Sequence, residues 1–234
     1  MYNKHMINAI QLQFKKAPVT VSLVAISVVM FMVEFILGHG QTTNGQLLVA
    51  LGAKWGPAIA VDHQYWRLLT PIFLHAGWLH LITNMLTLWF IGPLAEAVFG
   101  HRKFLGLYLF GGVVGNMISY LFAPFTVSVG ASTALFGLFG GLLMFASQFR
   151  HDPTIRAQGT TLLLFVGLNL ITGFGANGVD MWGHIGGLIG GIMFAVMAGF
   201  YGRSGRFPLY MRLTLIGVSV LFVLLTGLAG GGMK

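Results

Sequence analysis

Seven apolar runs, each close to the length needed to cross a bilayer, recur along the 234 residues with short polar connections between them. About 20 helical residues match a hydrocarbon layer of roughly 30 Å. In lipid the backbone must satisfy its own hydrogen bonds, so such runs become helices packed side by side. They lie at roughly 19–37, 78–97, 103–123, 131–149, 159–175, 182–201 and 208–229, with ends uncertain by several residues. Charged residues make up 8% of the chain, where a soluble domain carries about a quarter. The expected fold class is therefore all-α, a polytopic transmembrane helix bundle. The chain has no cysteine, which excludes disulfides and thiolate chemistry.

The first run, Val19 to Leu37, is too long for a signal-peptide core and lacks a small-x-small cleavage pattern, so it reads as a retained helix. Residues 38–77 form a long connection carrying Trp55, Pro57, Asp62, His63, Tyr65, Trp66 and Arg67. The formal charge of +8 is spread over the connections between runs, a pattern of membrane orientation rather than of nucleic-acid binding. With a cytoplasmic amino terminus, the inner segments hold Lys4, Lys15, Lys16, Arg102, Lys103, Arg150, Arg156, Arg203, Arg206 and Arg212. The outer ones hold only Lys54, Arg67 and Lys234. Ten against three follows the positive-inside rule, so the amino terminus is expected inside and the carboxyl terminus outside. The lack of cysteine and of organelle-targeting features fits a bacterial plasma membrane.

In that orientation spans two, four and six all run inward. His80 and Asn84 lie early in span two, Ser132 early in span four and His184 early in span six. All four fall at similar depths in the outer half of the bilayer. Spans four and six also resemble each other, because Gly137-Leu-Phe-Gly-Gly-Leu recurs as Gly187-Leu-Ile-Gly-Gly-Ile. Gly183, Gly187 and Gly191 make a small-x-x-x-small face that lets helix backbones approach closely. Packing Gly187 on Gly137 would leave Ser132 and His184 about 3 Å apart in level.

Each polar residue also has a bland reading. Ser132 can bond back to a carbonyl one turn earlier. His184, an intramembrane ionisable residue, can be a neutral imidazole on a neighbouring carbonyl, yet beside Ser132 it would serve as a general base for a weak nucleophile. No carboxylate is obviously placed to orient it. Asp180 lies one turn away on the loop side, so a dyad is expected rather than a triad. His80 and Asn84, at i and i+4, share a helix face and could donate to an oxyanion or simply join helices. His75-Ala-Gly-Trp-Leu-His80 has neither zincin spacing nor a carboxylate base, so no metal is expected. Phe136, one turn after Ser132, either flanks a cleft or packs. Trp66-Arg67 suits an interface, Glu96 a structural contact at the inner end of span two, and Glu34 is open.

Taken together, these residues resemble the rhomboid family of intramembrane serine proteases. The resemblance covers roughly residues 19–201. It rests on Trp66-Arg67, on His75, His80 and Asn84, on Gly92 and Glu96, on Gly130-Ala-Ser132, and on His184-x-x-Gly187-x-x-x-Gly191. It implies a six-helix core with one added carboxyl-terminal helix, Ser132 as nucleophile and His184 as general base. The Ser132 backbone N–H, His80 and Asn84 would form the oxyanion hole, with Gly130, Phe136, His75, Trp66, Arg67 and Glu96 in support. Residues Gly173 to Asp180 would be a mobile cap, and no cofactor or metal is implied. Two departures stand out: Thr133 where the family usually has Gly, and Gln64 where it often has Glu.

The expected organisation is a cytoplasmic segment at 1–18, a catalytic core at 19–201, and a cytoplasmic link with a seventh helix at 202–234. The expected function is cleavage of transmembrane protein substrates in or near their membrane segments, inside the lipid bilayer, with no nucleic-acid partner. Two rivals are a non-cutting rhomboid-like protein that binds transmembrane segments, to which Thr133 points, and a small channel or transporter. The second would need polar residues through the inner half, where spans four and six are largely apolar.

Overall fold

A computed structural model describes residues 16–176, 178–203, 205 and 207–229. Of the charges counted above, Lys4, Lys15, Arg206 and Lys234 lie outside the described residues, as does most of the expected 1–18 segment. The described chain forms nine α-helices: α1 Pro18–Leu37, α2 Gly45–Leu51, α3 Gly56–Ala60, α4 Trp78–Phe99, α5 His101–Phe122, α6 Ser132–Gln148, α7 Pro153–Gly173, α8 Met181–Ala198 and α9 Leu209–Ala229. Among the described residues β-pairing is confined to an isolated bridge between Lys54 and Ser128. The all-α bundle expected from the apolar runs is the observed architecture.

Six of these helices are long and apolar enough to span a membrane. The fourth expected span, 131–149, is a shorter helix of 17 residues, α6. At 1.5 Å per residue it reaches only about 25 Å, less than the hydrocarbon layer. It can be short because it is the central helix, surrounded by protein rather than lipid. Every residue from Thr133 to Leu142 is buried. α7 begins at Pro153, earlier than the expected 159, because the Asp152 carboxylate caps it by accepting from the N–H groups of Thr154 and Ile155.

α6 packs between α5 and α8 through glycine faces. A methyl group on Gly187 would land on the Thr133 carbonyl, and one on Gly191 on the Gly137 carbonyl. The register therefore differs by one turn from the expected pairing: Gly191, not Gly187, faces Gly137. The reverse side of Gly137 is occupied by Gly111 of α5, whose added Cβ would come within 2.7 Å of the Gly137 Cα.

The segment between α1 and α4 is not a plain connection. Besides α2 and α3 it holds two 3-10 turns, Tyr65–Leu68 and Thr70–Phe73. Arg67 organises it, donating to the carbonyls of Val49 and Ala53 and, at 2.6 Å, to Gln64 Oε1, while its guanidinium lies over the Trp66 ring at 4.5 Å. Backbone bonds then staple this segment to the loop ahead of α6. Lys54 and Ser128 exchange both N–H···O bonds, and the Gly56 N–H donates to Pro124 O. At the opposite end of α4, Glu96 accepts from the N–H groups of Val19 and Thr20 and from the Thr20 hydroxyl at 2.7 Å. It thereby caps the start of α1, and His101 Nδ1 lies 2.6 Å away. Glu96 thus ties the end of α4 to the start of α1.

Candidate active site

Ser132 is the first residue of α6, and His184 lies in the first turn of α8. Close contact along the glycine faces brings the two turns together, with His184 Nε2 2.9 Å from Ser132 Oγ. The imidazole stacks on Phe136, centroids 4.3 Å apart and planes at 10°, which fixes its plane. His184 Nδ1 is buried with no hydrogen-bond partner in the described protein. The nearest candidate carboxylate, Asp180, is engaged elsewhere: it caps α8 by accepting from the Gly183 N–H at 2.9 Å and also accepts from the Ser119 hydroxyl. Among the described residues the imidazole bonds to the Ser132 hydroxyl and to no carboxylate.

Gly130 precedes this turn with φ at +123°, a conformation that L side chains rarely adopt. A methyl group there would also come within 2.6 Å of His80 Nε2 and 3.3 Å of Asn84 Nδ2. The absence of a side chain thus leaves a small space faced by two nitrogens. His80 Nδ1 accepts from the Ala76 N–H at 3.3 Å, so the neutral ring carries its proton on Nε2, the nitrogen facing that space. Asn84 Nδ2 is buried and lacks a protein acceptor. Buried donors normally find partners, so the unpaired Asn84 Nδ2, with the His80 Nε2–H facing the same space, suits a transient negative oxygen.

His75 stands one layer behind. It is fully buried, its backbone N–H donates to the Glu34 carboxylate, and its ring meets His80 edge-on with centroids 5.3 Å apart. Burial, then the neighbouring His80, pulls its imidazole down to about 3, against a smaller upward pull from Phe73, so it is neutral. Among the described residues no group of three His, Asp or Glu side chains converges to hold a metal ion. A cavity of about 720 Å³ joins Ser132, His184, His80 and Asn84 to Ser128, Asp180 and Asn169, with Leu48, Phe136, Phe139 and Phe165 as apolar walls. Trp66, Arg67 and Glu96 do not line it.

Thr133 points away from the cavity. Its side chain sits where Cβ atoms on Gly115 and Gly183 would be, 2.9 Å from each, so glycines on α5 and α8 make room for it. Asp180, set aside in the sequence as an orienting carboxylate, is the helix cap readable ahead of an apolar run. Two residues near the site escaped the sequence reading. Ser119 and the fully buried Lys54, whose Nζ donates to Ala123 O at 2.8 Å, carry no local signal.

Comparison with known proteins fits this geometry. The model of the Rhomboid domain matches residues 62–201. The chain belongs to the rhomboid family. Among curated relatives, the rhomboid protease GluP of Bacillus subtilis (strain 168) is 40% identical over 210 residues, covering 89% of this chain. This chain spans only 40% of GluP's length. Rhomboid-like protease 3 of Toxoplasma gondii is 32% identical over 83% of this chain and 73% of its own length. RHOMBOID-like protein 7 of Arabidopsis thaliana is 39% identical over 69% of this chain and half of its own. With six apolar helices of spanning length, this rhomboid is an integral multi-pass membrane protein.

Proposed function

We propose that this rhomboid is an intramembrane serine endopeptidase that cleaves membrane proteins in or near their transmembrane segments. The observation that carries the reading is the 2.9 Å contact of Ser132 Oγ with His184 Nε2, beside the buried Asn84 Nδ2, a donor that lacks a protein acceptor. Attack forms the Oγ–C bond while His184 takes the hydroxyl proton. The carbonyl electrons move onto oxygen, where the His80 Nε2–H and Asn84 Nδ2–H receive the charge. The Ser132 N–H joins them, since a first-turn N–H has no intrahelical acceptor. His184 then returns its proton to the departing amine, leaving an acyl-enzyme, and next activates a water that releases the acid.

The core at 19–201 would carry this chemistry, with 202–234 adding the link and α9. A cytoplasmic amino terminus puts the cavity at the outer side, where water reaches it. A regular substrate helix hides its carbonyls, so the segment that is cut must unwind locally. The non-cutting alternative loses its main motive, because Thr133 faces α5 and α8 rather than the cavity.

Purified protein in liposomes with a synthetic transmembrane substrate tests the proposal. Wild type should cleave it and label with a fluorophosphonate, and Ser132→Ala and His184→Ala should do neither. Cleavage that survives both substitutions refutes the dyad, whereas an unlabelled, inactive wild type supports the binding role.

A further inference from the structure

The side chain at position 180 has no part in the chemistry proposed above, yet it is bonded to both elements that hold the base. Asp180 Oδ1 accepts from the Gly183 N–H, and its backbone oxygen accepts from the His184 N–H at 3.1 Å. These bonds close the first turn of α8 around the imidazole. Its second oxygen, Oδ2, accepts from the Ser119 hydroxyl, and Ser119 is fully buried on α5. The turn carrying His184 is therefore tied to α5, which packs α6 on its other flank. The carboxylate also lines the cavity with the imidazole, four residues apart on one helix face.

Charge adds a second effect. A helix amino terminus is the positive end of the peptide dipole and disfavours the imidazolium that His184 becomes on taking the Ser132 proton. A carboxylate at that terminus opposes it. The charged or titratable groups that line the cavity with the imidazole are thus Asp180 on its own helix and His80 on α4.

We propose that Asp180 is a positioning residue for the general base, holding the His184 turn against α5 through Ser119 and setting how readily the imidazole takes a proton. This rests on the protease reading. A negative charge near the imidazole favours its protonated form and a positive charge disfavours it. Asp180→Asn keeps an acceptor for the Gly183 N–H and removes the charge.

The experiment is the pH profile of kcat/KM for wild type and Asp180→Asn in liposomes, normalised to fluorophosphonate-labelled protein. Asp180→Asn should lower kcat by about tenfold, with KM within about twofold, and move the acid limb to lower pH. A purely structural cap predicts no movement of that limb, and this result overturns the proposal. So does an Asp180→Asn loss that falls in KM alone. Wild type that labels and cleaves while Asp180→Asn behaves identically sinks only this inference. Absence of Ser132-dependent labelling in wild type sinks the protease reading and this inference with it.

Discussion

Replacing Gly187 by alanine tests whether the approach of α6 to α8 is what makes the site. The new methyl group would land on the Thr133 carbonyl oxygen, with the carbonyl carbon 3.0 Å away and Phe136 Cβ at 3.3 Å. Carbon atoms rest at about 3.5–4.0 Å, so the helices must part by roughly an ångström. Both obstacles are backbone or first side-chain atoms that cannot swing aside. His184 lies one turn before Gly187, and Ser132 is the neighbour of Thr133, so the displacement reaches the dyad almost undiminished. A 2.9 Å contact would open to about 4 Å, past hydrogen-bond reach. An ångström of misplacement costs on the order of 10²-fold in rate, while overpacking costs about 1–3 kcal/mol of stability. Cleavage and fluorophosphonate labelling would be measured in liposomes at a temperature where thermal melts show both proteins folded. Gly217→Ala, with nothing within 4 Å of the added methyl, should match wild type. Folded Gly187→Ala protein that cuts within threefold of wild type would refute the argument.

Asn84→Ala should lower kcat by about 10²–10³-fold at unchanged KM without loss of thermal stability, because Asn84 Nδ2 is a buried donor with no acceptor in the resting protein; a drop in KM-dependent binding alone would contradict the oxyanion role. Glu96→Gln should lower the unfolding midpoint in detergent, since charge-assisted bonds to Val19 and Thr20 are worth about 1.5–3 kcal/mol each, while labelling of the folded fraction stays at the wild-type rate. His75 predicts an acid dependence. Its imidazole, at about 3, stays neutral in the fold, whereas an unfolded one protonates near 6.5. Stability is therefore fully present above 6.5 and is lost as pH falls from there toward 3, at up to about 1.4 kcal/mol per pH unit. Unfolding midpoints from pH 7 to 4 should fall less steeply in His75→Gln, and parallel slopes would count against burial of a neutral ring.

Much of this was legible because lipid imposes blunt rules. Apolar length gave the spans, and helix direction brought Ser132, His184, His80 and Asn84 to one level. What stayed hidden depended on neighbours rather than on period. The short α6 could not be told from a full span, because its largely apolar run extends from Ala131 to Phe149 and only burial by α5 and α8 excuses its length. The one-turn register shift between Gly137 and Gly191 arises because Gly111 claims the other side of α6, a contact between residues far apart in sequence. Thr133 looked like an intruder in the cavity until its glycine sockets, Gly115 and Gly183, were seen. The tautomer of His80 hangs on a backbone N–H, that of Ala76, which no side-chain pattern reveals.

The staples between residues 54–56 and 124–128 divide the labour around the cleft. They join the alcohol, the glycine before it and the long loop ahead of α4 into one frame anchored by backbone bonds. The far wall differs. α7 buries only Val166 and Gly173, and Gly175 and Gly178 beyond it stand in open space with positive φ. On the proposed protease reading, widening of the cleft would fall on the α7 side, and a bulky guest would be admitted by yielding there while the Ser132 oxygen keeps its aim.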